Sequence, residues 1–142
     1  MHTDTKAHPV NYSKRVAYSA DLTPIFPEYF PERRPHVSGV YMLHEDGRYY
    51  IGQSGDVFGC LLNYLSNPTV CGLMNPRGTL LASIPQRSEH TRKVVKARFI
   101  AAALSLDVPL TNKLTKFTRG KLLSLFPDLT AEREIIQKAR GR

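Results

Sequence analysis

The clearest pattern of apolar and polar positions lies between residues 39 and 52. Val40-Tyr41-Met42-Leu43 and Tyr49-Tyr50-Ile51 are β-rich runs flanking Glu45-Asp46-Gly47-Arg48. Asp-Gly between two such runs predicts a hairpin, because both residues tolerate the positive φ of a type I′ turn. Gly52 ends the second strand. Asp56 stands where an N-cap belongs, ahead of a predicted helix from Val57 to Ser66 that Asn67-Pro68 stops. Thr69 to Gly78 reads as loop, and Thr79 to Ile84 as a third strand closed by Pro85. Ser88 then caps the longest helix, running to about Leu106. Its first half sets Glu89, Arg92, Lys93 and Lys96 at helical spacing on one face. Its second half, Phe99-Ile100-Ala101-Ala102-Ala103-Leu104, is apolar all round, which marks a helix end buried in the core. Beyond Pro109 and Asn112-Lys113, a helix is predicted over about Thr118 to Leu125. A last helix, capped by Thr130, buries Ile135, Ile136 and Ala139 and shows Arg133, Lys138 and Arg140 to solvent.

These elements predict an α/β chain: a small three-stranded, mainly antiparallel sheet flanked by helices, with extra C-terminal helices. Residues 1–36 read as a Pro-rich N-terminal arm. Pro9, Pro24, Pro27, Pro31 and Pro35 break any long element, while Ile25, Phe26, Tyr29 and Phe30 are apolar enough to dock on the domain or on a partner. Residues 37–115 then form the core and 116–142 a helical extension. With 142 residues, 42 % of them apolar, the chain is long enough to close one core without disulfides. Cys60 and Cys71 are the only cysteines and form neither a CxxC site nor a disulfide framework, which fits a reducing cytoplasm. No apolar stretch approaches the ~20 residues of a membrane-spanning helix. The polar opening, MHTDTKAHPVNYSKR, lacks the hydrophobic region of a secretory signal.

The formal charge of +8 favours anionic partners, nucleic acid first, because each neutralised phosphate releases condensed counterions. A solvated basic surface without such a partner carries the same charge. The candidate contacts to nucleic acid are Arg77, Arg92, Lys93, Lys96 and Lys113. Arg133, Lys138, Arg140 and Arg142 form either a further contact row or the outer face of a docking helix. The histidines (His2, His8, His36, His44 and His90) show no ligand spacing and predict no metal site.

The hairpin also carries a resemblance. Gly39-Val40-Tyr41, eight intervening residues, then Tyr50-Ile51-Gly52 followed by Gln53-Ser54 and Asp56, resembles the signature of the GIY-YIG nuclease superfamily. The likeness covers about residues 37 to 115, where the long helix, a proline and then Asn112 keep the family's order. It implies hydrolysis of a phosphodiester with Mg or Mn. Two tyrosines would lie beside the scissile phosphate, and an asparagine would order the site. An arginine on the first helix and a glutamate-bound cation on the long helix would offset phosphoryl charge. Matched position by position, Tyr41 and Tyr50 occupy the tyrosine positions, Asn112 the asparagine position, and Tyr64 a later histidine or tyrosine position. The arginine position holds Cys60, and the glutamate position holds Lys96. No arginine or lysine lies between Val57 and Ser66. Glu89 is seven residues before Lys96, about 10 Å along the axis, too far to hold the same cation. Losing one such charge-stabilising group typically costs a factor of roughly 10² to 10⁵ in rate.

The resulting expectation is a catalytically degenerate GIY-YIG-like domain that binds nucleic acid, DNA first, without cleaving it and without a cofactor. An ammonium at Lys96 can pair with a phosphate but cannot activate water; a lysine snorkelling from a ligand-free cleft reads equally well. Tyr41 and Tyr50 serve packing as readily as chemistry. Cys60 has no neighbour in sequence to lower its pKa and reads as inert. Two rival readings stay open. One is an active endonuclease with non-standard catalytic residues and Mg or Mn. The other is a protein-binding inhibitor or adaptor, of phage or mobile-element kind, working through Phe26, Tyr29 and Phe30.

Overall fold

The structure, a computed structural model, describes residue 12 and residues 16–25, 37–66, 72–74, 76–85 and 88–141, with side chains of the helix ending at Ser66 described as far as Leu61. In chain order the elements are β1 (Ser19–Ile25), β2 (Gly39–Glu45), β3 (Arg48–Ser54), α1 (Val57–Ser66), β4 (Arg77–Ser83), α2 (Glu89–Ser105), α3 (Lys116–Leu125) and α4 (Thr130–Ala139).

The hairpin forms as its sequence predicts. Asp46 and Gly47 take φ of 53° and 76°, the left-handed pair that a type I′ turn needs. The turn sets the register of β2 on β3, with Tyr41 opposite Gly52 and Leu43 opposite Tyr50. The fold is α/β as expected and its sheet antiparallel, but the sheet has four strands in the order β1-β4-β2-β3 rather than three. The fourth comes from the stretch read as an arm. Ser19–Ile25 lacks strand alternation and contains Pro24, which an edge strand alone accepts because one side of its backbone has no partner. Its register slips between Ala20 and Thr23, where Leu22 adopts φ 63°.

Several boundaries also differ. β4 starts at Arg77, two residues before the expected Thr79. α3 starts at Lys116, because Thr115 caps it by accepting from the Thr118 amide at 3.0 Å. Thr130 is the first residue of α4 rather than its cap; Leu129 is the N-cap, and Asp128 Oδ1 accepts from the Thr130 amide. That bond holds the exposed Asp128 carboxyl below the usual carboxylate range. Arg140, expected in solvent, lies over the Tyr49 ring at 4.9 Å. Phe26, Tyr29, Phe30, Asn67-Pro68 and Cys71 lie outside the described residues.

Each face of the sheet buries its own cluster, as period-2 alternation requires. Tyr41, Leu43, Leu80 and Ile25 pack with Val57 and Leu61 of α1. Val40, Met42 and Ile51 pack on the other face with the apolar half of α2 and with Leu122, Phe126, Leu129, Ile135 and Ile136. The C-terminal helices therefore share the cluster built on α2. A buried polar network ties them together. Glu132, 2 % exposed, accepts from Arg98 Nε at 3.1 Å and from the Tyr18 hydroxyl at 2.5 Å. Arg98 also donates to the Asp128 carbonyl and lies over the Phe126 ring at 5.1 Å. Burial, then the Glu132 carboxylate, push the Tyr18 phenol far above its usual pKa.

Candidate functional site

Tyr41 is fully buried, and its ring folds over Gly52 on the neighbouring strand. A Cβ at Gly52 would stand 2.5 Å from both Cζ and the hydroxyl oxygen of Tyr41, so glycine is required there by the ring itself. The Tyr50 ring lies 6.5 Å from that of Tyr41, and the Tyr41 hydroxyl is 3.9 Å from Cys60 Sγ on α1. The fold thus unites Tyr41, Tyr50 and Cys60 on the α1 face.

Asn112 sits at the edge of β3 and spends both ends of its amide on one residue. Its Oδ1 accepts from the Ile51 amide at 3.0 Å, and its Nδ2 donates to the Ile51 carbonyl at 2.8 Å. Just before it, the Tyr49 amide donates to the Pro109 carbonyl, and the Thr111 amide donates to the Tyr49 carbonyl. Residues 109–112 therefore act as a short parallel partner that closes the β3 edge. Asn112 holds the strand that carries Tyr50.

The cationic positions divide differently. Arg92 Nε donates to Gln53 Oε1 at 2.8 Å, and its Nη1 approaches Ser38 Oγ at 3.4 Å, which fastens the start of α2 to the ends of β2 and β3. Next to Arg92 and one helical turn on, Lys93 and Lys96 line a cavity of about 270 Å³ with Tyr12, Gln53, Ala97, Thr118 and Leu122. Lys93 pairs with Glu89 at 3.1 Å, a surface contact of small energy. Lys96 is partly buried, and among the described residues no carboxylate pairs with it. Burial first, and Lys93 second, lower its pKa from the ordinary 10.5. The wall of the cavity is apolar at Ala97 and Leu122 and hydrogen-bonding at Gln53 and Thr118, a lining that suits a small anion or an anionic group on a larger ligand.

This cavity opens on the α2 face, so the sheet separates Lys93 and Lys96 from the Tyr41–Tyr50 pair. Arg77 is farther still. It faces His44 at the turn end of β2, six residues from Ser38 and about 20 Å from the Arg92 anchor. Burial and the neighbouring Arg77 charge lower the His44 pKa. Lys113 is exposed next to Asn112. Among the described residues, no group of three or more His, Cys, Asp and Glu side chains converges, and no helix is long and apolar enough to cross a membrane. Sequence reasoning missed Gln53, Thr118 and Tyr12 as cavity residues. Gln53 has a sequence signal, as the polar residue that ends the Tyr50-Ile51-Gly52 run on the α2 side; Thr118 and Tyr12 have none, since only packing brings them there. In comparisons with known proteins, no family model, no curated protein and no solved structure matches this chain.

Proposed function

We propose that the protein binds nucleic acid, DNA first, through its phosphates and without cleaving it, as a catalytically degenerate GIY-YIG-like domain of the cytoplasm. Lys96 carries this reading. It is a cation held partly out of water, with its pKa lowered, in a cavity that offers it no carboxylate among the described residues. Desolvating a charge without a partner costs free energy, and an entering phosphate oxygen would offset that cost through a charge-assisted hydrogen bond. Lys93 stands one turn away to take a second oxygen, with Gln53 and Thr118 as neutral partners. The excess of cations over carboxylates across the whole chain adds steering toward a polyanion.

The reading of binding without cleavage is supported by what stands at the charge-handling positions. Cys60 faces the Tyr41 hydroxyl, and Lys96 faces the opposite side of the sheet. With an ammonium at the matched glutamate position, and on the far side of the sheet from Tyr41 and Tyr50, no carboxylate stands at that position for the divalent cation that would lower the pKa of an attacking water. The GIY-YIG assignment itself rests on the two tripeptides lying opposite each other on one hairpin, with Asn112 fixed behind them.

The test is a paired assay on the purified protein: binding to a labelled DNA duplex across a salt series, and incubation of the same DNA with Mg or Mn. Expected are a steep salt dependence, intact DNA, and at least tenfold weaker binding by Lys96→Glu. Absence of binding at low salt to both the duplex and its separated strands removes the reading. Cleavage removes its pseudoenzyme half and favours an active endonuclease with Mg or Mn.

A further inference from the structure

Helix α3 carries a feature that the phosphate-binding reading does not use. Between Val108 and Pro127 the chain has four cations (Lys113, Lys116, Arg119 and Lys121) and no carboxylate. Within this basic segment Phe117 is 79 % exposed. Only Leu122 of the helix is buried. Thr118 and Leu122 turn into the Lys93–Lys96 cavity, so the outer surface of α3 continues directly from its rim. Phe117 and Lys121, four residues apart, share one face of the helix. Gly120 lies beside them, and a Cβ there would meet nothing within 4 Å, so packing does not demand the glycine. Its effect is to leave the surface next to the Phe117 ring clear.

We infer that α3 is a stacking platform for single-stranded nucleic acid, in which an unpaired base lies on Phe117 while Lys121 and the cavity lysines hold flanking phosphates. This rests on the phosphate-binding reading above and assigns the strandedness of its ligand. An exposed aromatic ring among cations suits a single strand, because its bases offer free faces and its backbone offers charge. A duplex has its bases already stacked inside, and only its phosphates would engage the same surface. A membrane surface fits less well. The other exposed apolar residue of α3, Leu123, is 46 % exposed and six positions on, about a third of a turn round the helix, so no continuous apolar face forms.

The experiment measures fluorescence anisotropy of the full chain with a labelled 20-nucleotide oligothymidylate and with a 20-base-pair duplex, at several salt concentrations. Phe117→Ala is expected to weaken single-strand binding roughly 5- to 150-fold, the range of one lost base stack. Duplex binding should stay within about twofold, and Phe117→Trp should restore single-strand affinity. Lys121→Glu is expected to weaken both ligands and reduce the salt slope by about one phosphate. Phe117 is a surface residue, so an unchanged thermal midpoint of Phe117→Ala confirms that the variant is folded. Equal losses on both ligands, or no loss on the single strand, overturn the inference. So does binding of anionic phosphatidylserine vesicles that depends on Phe117 while oligonucleotide binding does not. If the wild type binds oligonucleotides and Lys96→Glu weakens them while Phe117→Ala has no effect, this inference alone fails. If the wild type binds neither oligonucleotide, the phosphate-binding reading fails with it.

Discussion

Replacing Asn112 by alanine separates a scaffolding role from a chemical one. Both polar ends of the Asn112 amide are committed to the backbone of Ile51, whose side chain is fully buried. The substitution deletes two hydrogen bonds and leaves an amide and a carbonyl without partners at the β3 edge. Each bond contributes about 1 kcal/mol net, and each orphaned buried group costs about 1–3 kcal/mol. A loss of roughly 2–4 kcal/mol follows, with water admitted to the gap bringing it toward the lower value. For a chain of this size that lowers the thermal midpoint by about 6–12 °C. Asn112→Asp sharpens the test. It keeps the acceptor for the Ile51 amide but sets a second carboxylate oxygen against the Ile51 carbonyl, so at neutral pH it should be no more stable than the alanine variant. Thermal and urea unfolding followed by circular dichroism read both. A midpoint within 2 °C of wild type for Asn112→Ala would refute the assignment of Asn112 as the clamp on β3.

Other substitutions probe the remaining contacts. Glu132→Ala takes the carboxylate from the partly buried Arg98 and from the Tyr18 hydroxyl and should cost about 2–3 kcal/mol, below the range for stranding a fully buried charge because water reaches part of the guanidinium. The double variant Arg98→Met with Glu132→Leu should unfold at a higher temperature than Glu132→Ala, and an additive loss would contradict the network. Gly52→Ala pushes a methyl group into the buried Tyr41 ring and should cost about 1–3 kcal/mol, with a less than additive loss when combined with Tyr41→Leu, both read from urea midpoints. The pKa of Lys96 is lowered in the folded state, so the unfolded chain binds more protons between that lowered value and 10.5. Stability of the ligand-free protein should therefore rise with pH across that window. Lys96→Met should abolish Lys96's share of this rise and stabilise the protein at neutral pH while weakening DNA binding; a less stable Lys96→Met would show that the ammonium has a partner in the fold.

The local elements were legible because each rests on contacts a few residues apart. Asp46-Gly47 determined the hairpin by its φ preferences, Ser88 capped α2, and the apolar run from Phe99 to Leu104 marked the buried half of that helix. Helical spacing in the first half of α2 likewise showed its basic row, and net charge suggested the class of partner. Long-range pairing was not encoded in any window. Ser19–Ile25 becomes a strand only because β4 offers it an open edge, and its proline and exposed pattern hide that locally. Asn112 stood out from its place in the order of motifs, but only tertiary contact shows that its amide clamps the backbone of Ile51. The separation of Lys96 from Tyr41 and Tyr50 is likewise a matter of which face of the sheet each side chain occupies. Sequence determines that alternation within a strand, but only the packing of α1 and α2 on opposite faces decides which groups meet.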